Sequence, residues 1–183
     1  MTKLLGISGS LRKGSFNTSL LRAAVDLAPE GTEIEIASIA GIPLYDGDVE
    51  AEQGIPETVK ALKERIAAAD GLLIVTPEYN NSIPGVLKNA IDWLSRPPAD
   101  LPRVFGDKPI ALMGTSPGPY GTVLSQAAWL PVLRSLGARA YFGGRVAIPF
   151  ASKAFDADGK LIDERGKKSV TELLAGFAKS IAT

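Results

Sequence analysis

Hydroxyl, amide and guanidinium side chains are concentrated in one short segment near the start of the chain. The apolar run at residues 4–7 predicts a buried strand, and the apolar spacing from Thr18 onward predicts a helix. A strand, a polar loop and a helix start together aim backbone N–H groups and the positive end of a helix dipole at an anion. We therefore predict a phosphate cradle, whose polar groups belong to Ser10, Arg12, Ser15, Asn17 and Thr18.

This loop matches two common phosphate-binding motifs only in part. Gly9, Gly14 and Ser15 have the spacing of a Walker A loop, but the lysine that reaches the β- and γ-phosphates is missing between Gly14 and Ser15. The glycines at 6, 9 and 14 also lack the spacing of a dinucleotide fingerprint. The loop therefore favours a single terminal phosphate. A polar turn with a good helix cap and no ligand is the alternative reading of the loop alone.

Two further polar loops follow predicted strands. The segment 77–82 comes after the apolar run 72–76, and its backbone and the Tyr79 ring could border a flat ring; the alternative is a proline turn with a boundary aromatic residue. The segment 115–121 follows the strand at 110–113, and Ser116, Gly118 and Gly121 allow close backbone approach; the alternative is a flexible turn. The three loops together describe a site for a phosphate and a planar ring.

The order of the predicted elements decides the fold class. Five strand candidates alternate with five helices, which predicts an α/β fold with a doubly wound parallel sheet. Residues 139–148 hold a strand interrupted by Gly143 and Gly144, Pro131 is expected to kink or divide its helix, and residues 95–107 are expected to form a connector. At 183 residues, the simplest expectation is one domain spanning 1–183. In such sheets ligands bind beyond the carboxyl ends of the strands, where the three loops lie.

Composition excludes several kinds of chemistry. The sequence has no cysteine and no histidine, which excludes thiol nucleophiles, Cys/His zinc sites and Ser-His-Asp triads. No catalytic acid or base and no metal site is predicted, and the chemistry of an enzyme would rest on a cofactor or on carboxylate, lysine or tyrosine side chains. Twenty basic and twenty acidic residues balance, which argues against a nucleic-acid partner. Neither a signal peptide nor a membrane span is predicted, and we expect a cytoplasmic protein.

Four segments of the sequence resemble a known family. ISGSLRKGSFN, IPLYDGDV, VTPEYNNSIPGVLKNAIDWLSRP and GTSPGPYG are similar to motifs of the NADPH-dependent FMN reductase family, in particular its soluble quinone and chromate reductase subgroup. The resemblance implies a flavodoxin-like, five-stranded parallel sheet of order 2-1-3-4-5 with helices on both faces. It also implies FMN as cofactor, NADPH or NADH as co-substrate, and a homodimer or homotetramer. The small-molecule electron acceptor would be a quinone, a flavin, an azo compound or chromate.

The resemblance also assigns site residues. The phosphate would be held by the first loop, with Ser10, Arg12, Ser15 and Asn17 as main contacts beside Leu11, Lys13, Gly14 and Phe16. The isoalloxazine would be bordered by Pro77, Glu78, Tyr79 and Asn80, and contacted by Ser116. Asn81 departs from the family, whose members often have histidine or an aromatic residue there, and Pro119 and Tyr120 lie where relatives vary.

Two rival functions use the same loops. A flavodoxin-type one-electron carrier would bind FMN without oxidising NAD(P)H; such carriers usually dock through a strongly acidic face, whereas this chain is neutral. A nucleotide or phosphomonoester hydrolase would use the first loop alone, but the chain lacks the Walker lysine and any nucleophilic cysteine. A flavin-dependent reductase is therefore the leading hypothesis.

Overall fold

Strands and helices alternate along most of the chain. The computed structural model describes residues 1–182 and within them has six strands, eight α-helices and a 3₁₀ turn at Pro98–Asp100. The strands are β1 (Thr2–Ser8), β2 (Thr32–Ala37), β3 (Gly71–Val75), β4 (Pro109–Thr115), β5 (Arg139–Ala140) and β6 (Val146–Ile148). The helices are α1 (Phe16–Asp26), α2 (Gly47–Gln53), α3 (Glu57–Ala68), α4 (Gly85–Leu94), α5 (Leu101–Val104), α6 (Val123–Ser135), α7 (Ala151–Ala154) and α8 (Glu164–Ala182).

All strands pair in parallel in one sheet of order β2-β1-β3-β4-β5, with β6 also on β4. The predicted flavodoxin-like strand order is therefore confirmed. Two short strands share the fifth position of the sheet, next to β4. Strand β5 pairs with Pro109 and Ile110 at the start of β4, and β6 pairs with the end of β4 from Met113 to Thr115. The predicted interruption at Gly143 and Gly144 lies between these two short strands.

The sheet is covered on both faces, which explains its apolar strands. Alternate residues of β1 and β3, such as Leu5 and Ile74, pack with α3, α4 and α6 on one face. Their neighbours, such as Leu4 and Leu73, pack with α1 and α8 on the other. Because all the strands are parallel, their carboxyl ends and the loops that follow them lie at one edge of the sheet.

Pro131 was expected to kink or divide its helix, and the structure excludes a division, because α6 continues through Pro131 to Ser135. Pro131 is exposed, so water can replace the hydrogen bond that proline removes. The expected five helices were too few, because α2, α5 and α7 are short helices in segments that lack helical apolar spacing. The start of α2 had a local signal, since the Asp46 carboxylate accepts a hydrogen bond from the Asp48 N–H at 2.9 Å.

Candidate functional site

The loops that follow β1, β3 and β4 meet at a cleft of about 420 Å³. They are loop 1 (residues 9–15), loop 2 (residues 76–84) and loop 3 (residues 116–122). Gly9 marks the contact between loops 1 and 2, because a Cβ atom there would lie 2.9 Å from Cδ of Pro77. The cleft is lined by Ser10, Arg12, Ser15, Phe16, Asn17, Pro77, Glu78, Tyr79, Thr115, Ser116 and Pro117.

Loop 1 delivers the start of α1 to the cleft. The Ser15 N–H donates to the Arg12 carbonyl at 3.1 Å, which closes a turn just before the helix begins at Phe16. The hydroxyls of Ser8 and Thr18 are 2.9 Å apart, so the first turn of α1 is tied to the end of β1. The first N–H groups of a helix have no partner within the helix and carry its positive partial charge. The first turn, residues 16–19, contains only uncharged side chains, which leaves this charge uncancelled.

Arg12 is the one cationic side chain in the lining of the cleft. Its guanidinium carbon lies 5.9 Å from the centroid of the Phe16 ring, within the range of a cation–π contact. The ring therefore favours a guanidinium position over the start of α1 while the side chain stays exposed. A guanidinium beside free helix N–H groups suits a phosphate dianion.

Asn17 joins loop 1 to the end of β4. Its amide oxygen accepts the Thr115 N–H at 3.0 Å, and its amide nitrogen donates to the Thr115 carbonyl at 2.9 Å. Both residues are buried, with 5% and 1% of their surfaces exposed. The predicted contact to a phosphate is thereby limited to the second hydrogen of the Asn17 amide. The sequence prediction missed this bridging role, because its partner lies 98 residues away.

Loop 2 ends in a tight reversal. Tyr79 and Ser82 exchange two backbone hydrogen bonds, of 3.2 and 3.1 Å, across Asn80 and Asn81. Both asparagines have positive φ, at 50° and 61°, a conformation that asparagine tolerates better than most residues. The turn explains why asparagines occupy both central positions. Tyr79, which begins the turn, lines the cleft and keeps about half of its surface exposed (48%).

A buried hydrogen-bond network connects the start of loop 2 to α6. Thr76 Oγ1 donates to the Pro77 carbonyl at 2.9 Å, and because it has one hydrogen it must accept from Ser125 Oγ at 2.9 Å. It also accepts the indole N–H of Trp129 at 3.0 Å. Thr76, Ser125 and Trp129 are fully buried. Pro77 thus borders the cleft from a fixed base.

Loop 3 is held against the end of β6. The Ser116 N–H donates to the Ile148 carbonyl at 3.2 Å, and the Ser116 carbonyl accepts from Ala151 at 3.0 Å. Thr115 Oγ1 donates to the same Ile148 carbonyl at 2.9 Å. The backbone of Ser116 is thereby fixed on both sides while the residue lines the cleft. Hydrogen bonds thus anchor each of the three loops, which form a preorganised site.

The family model described as NADPH-dependent FMN reductase matches residues 2–153. The chain belongs to the NADPH-dependent FMN reductase family. It is 47% identical to an NAD(P)H-dependent FMN reductase of Pseudomonas aeruginosa over 94% of this chain and 91% of the relative. It is 42% identical to a quinone reductase of Escherichia coli over 98% of this chain and 95% of the relative.

A solved structure supports the same relationship. The flavoenzyme NAD(P)H:(acceptor) oxidoreductase of Paracoccus denitrificans superposes with a TM-score of 0.87 and 36% identity. The match covers all of this chain and 98% of that structure. The family expectation drawn from the sequence motifs is therefore confirmed.

The cleft of this family member fits the phosphate end of FMN. The groups at loop 1 are hydroxyls, an amide, a guanidinium and helix N–H groups, all of which can donate to a phosphate. The one carboxylate in the lining belongs to Glu78, and it accepts hydrogen bonds from the start of α6.

Most of the predicted site residues come together around the cleft. The lining lacks five of them, Leu11, Lys13, Gly14, Thr18 and Asn80, and contains two that were not singled out, Thr115 and Pro117. Lys13 and Gly14 form the turn of loop 1, and Asn80 forms the turn of loop 2. Thr115 had a detectable signal, since it is a polar residue at the carboxyl end of a strand next to Ser116.

Another polar network braces the segment between β2 and α3. Arg96 Nε lies 2.8 Å from Glu50 Oε2, and the Tyr45 hydroxyl donates to that oxygen at 2.9 Å. The hydrogen bond from Arg96 lowers the pKa of Glu50, and the hydrogen bond to Glu50 raises the pKa of Tyr45. Trp93 packs edge-on against the Tyr45 ring with the ring centroids 5.0 Å apart. These groups stabilise the chain beyond β2.

Residues 1–182 contain neither a candidate metal site nor a helix that could span a membrane. Within that range, no group of three or more Asp, Glu, His or Cys residues is arranged to hold a metal ion. Over the same residues, every helix is too short or too polar to cross a bilayer.

Proposed function

We propose that this chain is an FMN-dependent NAD(P)H oxidoreductase that reduces a quinone or a related small-molecule acceptor such as a flavin, an azo compound or chromate. One observation carries the proposal: the anion cradle of loop 1 and the anchored loops 2 and 3 line a single cleft in a member of this family. FMN, when bound, supplies the two-electron chemistry that connects a nicotinamide to an acceptor.

The protein's own task is to bind and orient. Arg12 and the start of α1 neutralise the phosphate, with the hydroxyls of Ser10 and Ser15 as further donors. Pro77 and Tyr79 border the ring from loop 2, and Ser116 borders it from loop 3. None of these roles requires a side-chain acid or base, which agrees with a sequence that has no histidine or cysteine.

Two features of the whole molecule belong to the proposal. The chain forms one domain, since both apolar clusters share the same sheet, and it assembles into a homodimer or homotetramer. Assembly is supported by large apolar side chains that stay exposed near α6, including Tyr120 (75%) and Phe142 (76%). Light scattering of the purified protein measures the assembly state, and a monomer at micromolar concentration would contradict it. We also place the protein in the cytoplasm, which cell fractionation can test.

An anaerobic titration tests the activity. The purified protein should bind FMN, NADPH should bleach the bound flavin, and a stoichiometric amount of benzoquinone should restore its absorbance. A protein that binds no FMN would contradict the proposal. A stable semiquinone without NADPH oxidation would instead support the flavodoxin-type carrier.

Comparison of FMN with riboflavin tests the phosphate cradle. Arg12→Gln should weaken FMN binding about tenfold or more, the size of a lost charge-assisted hydrogen bond, and leave riboflavin binding unchanged. Arg22→Gln is the matched control, because Arg22 is an exposed arginine of α1 that lines a different cleft. Equal losses for FMN and riboflavin would show that Arg12 does not bind the phosphate.

A further inference from the structure

The Glu78 carboxylate in loop 2 reaches the start of α6. Its Oε2 atom accepts the N–H of Leu124 at 2.9 Å and the N–H of Ser125 at 3.0 Å. These donors lie 46 and 47 residues further along the chain. The contact is therefore a helix cap supplied from a distant loop.

Helix α6 needs this cap because its own N-cap residue is used elsewhere. The residue at that position is Thr122, and its hydroxyl, which is buried, accepts from the Gln126 amide at 3.1 Å. A carboxylate at the start of a helix satisfies free N–H groups and stabilises the positive end of the dipole. Glu78 replaces the missing local cap.

The cap fixes the ring-binding segment as well as the helix. Thr76 is hydrogen-bonded to Ser125, so the residues on both sides of Pro77 are attached to the first turn of α6. Pro77 and Tyr79 line the cleft and lie next to Glu78 in the chain. A change in the reach of the Glu78 side chain would shift the cleft wall relative to α6.

We propose that Glu78 is a positioning residue, which holds Pro77 and Tyr79 in the place where they receive the flavin ring. This inference rests on the proposed function and extends it, because the sequence resemblance assigns Glu78 only to the border of the isoalloxazine. The role depends mainly on the position of one oxygen atom that accepts two hydrogen bonds, and the negative charge adds only a smaller stabilisation of the helix dipole.

Two substitutions distinguish the effect of the length of the Glu78 side chain from the effect of its charge. Glu78→Asp keeps the charge but withdraws the oxygen by one methylene group, whereas Glu78→Gln keeps the reach and a carbonyl acceptor but removes the charge. Glu78→Asp should weaken the binding of both FMN and riboflavin about fivefold, the size of a typical lost helix cap. Glu78→Gln should stay within about twofold of the wild type. Glu52→Asp, at an exposed glutamate of α2, is the matched control.

Amide hydrogen exchange gives a readout that does not need the cofactor. In the flavin-free protein, Glu78→Asp should speed exchange at Leu124 and Ser125, and Glu78→Gln should leave it close to the wild-type rate. Riboflavin distinguishes this effect from that of Arg12, whose substitution should affect FMN alone.

Three results would overturn the inference: Glu78→Asp binds both flavins as tightly as the wild type, Glu78→Gln is as weak as Glu78→Asp, or exchange at the two amides is unchanged in Glu78→Asp. A wild-type protein that binds no flavin would instead contradict the proposed function. In that case the exchange rates would still test the cap itself.

Discussion

Replacement of Asn17 by alanine tests whether one buried amide holds two loops together. The substitution removes both hydrogen bonds to Thr115, of 2.9 and 3.0 Å, and leaves a backbone N–H and a carbonyl without these partners. Thr115 is 1% exposed, so bulk water cannot easily replace the lost partner. An unsatisfied buried polar group costs about 1–3 kcal/mol, so the two together should lower the free energy of unfolding by about 3 kcal/mol.

Asn89 provides a matched control. Its amide oxygen accepts the Tyr45 N–H at 2.8 Å, and its amide nitrogen donates to the Pro43 carbonyl at 2.8 Å. Asn89 also makes two hydrogen bonds to the backbone, but it is half-buried, so water can reach the Tyr45 N–H, and the Pro43 carbonyl keeps the indole N–H of Trp93 at 2.9 Å. Asn89→Ala should therefore cost only about 1 kcal/mol.

Urea unfolding of the flavin-free variants, followed by circular dichroism, measures both costs. Asn17→Ala should also weaken FMN binding, because loop 1 loses its connection to β4, whereas Asn89→Ala should not. If the two variants differed by less than about 0.5 kcal/mol, burial of the amide would not govern its contribution and the argument would fail.

Two further substitutions probe close packing and charge. Gly9→Ala should lower the free energy of unfolding by about 1–3 kcal/mol, because the new Cβ atom would lie 2.6 Å from Leu87 Cδ2. Gly85→Ala is the control, because its Cβ atom would meet open space and should not lower the free energy of unfolding. Equal changes in melting temperature for the two variants would contradict this prediction. Asp100→Asn should destabilise the fold at pH 7 by removing the partner of buried Lys63. Lys63 lowers the pKa of Asp100, so this stabilisation exists above the unfolded-state pKa and disappears as the pH falls through the folded-state value. The gap in urea midpoint between wild type and Asp100→Asn should therefore narrow in acid, and a constant gap would contradict it.

The fold was predictable because its main signals are local. The continuous apolar stretch of β3 at Gly71–Val75 indicated a strand covered on both faces, and alternation with helices indicated a parallel sheet. The polar loops could be placed at one edge because parallel strands end on the same side. The division of the fifth position of the sheet between β5 and β6 was harder to predict, because these strands are only two and three residues long.

The candidate site was predictable in its location but not in its connections. The position of loop 1 followed from residue types, yet the partner of Asn17 lies 98 residues away. The same holds for Glu78, whose partners on α6 are invisible in a single sequence. Resemblance to the family identified residues that line the cleft, whereas the side-chain hydrogen bonds that hold them required the folded chain.

Trp129, in the buried hydrogen-bond network at the start of loop 2, can report the binding of a flavin through its fluorescence. Trp129 is one of two tryptophans in the chain, and its indole N–H is bonded to the same Thr76 hydroxyl that donates to Pro77. Its fluorescence should respond when a flavin settles against Pro77, both through this shared hydroxyl and through energy transfer to the flavin. With Trp93 replaced by phenylalanine, the protein would carry a single built-in optical probe of occupancy at the ring end of the cleft.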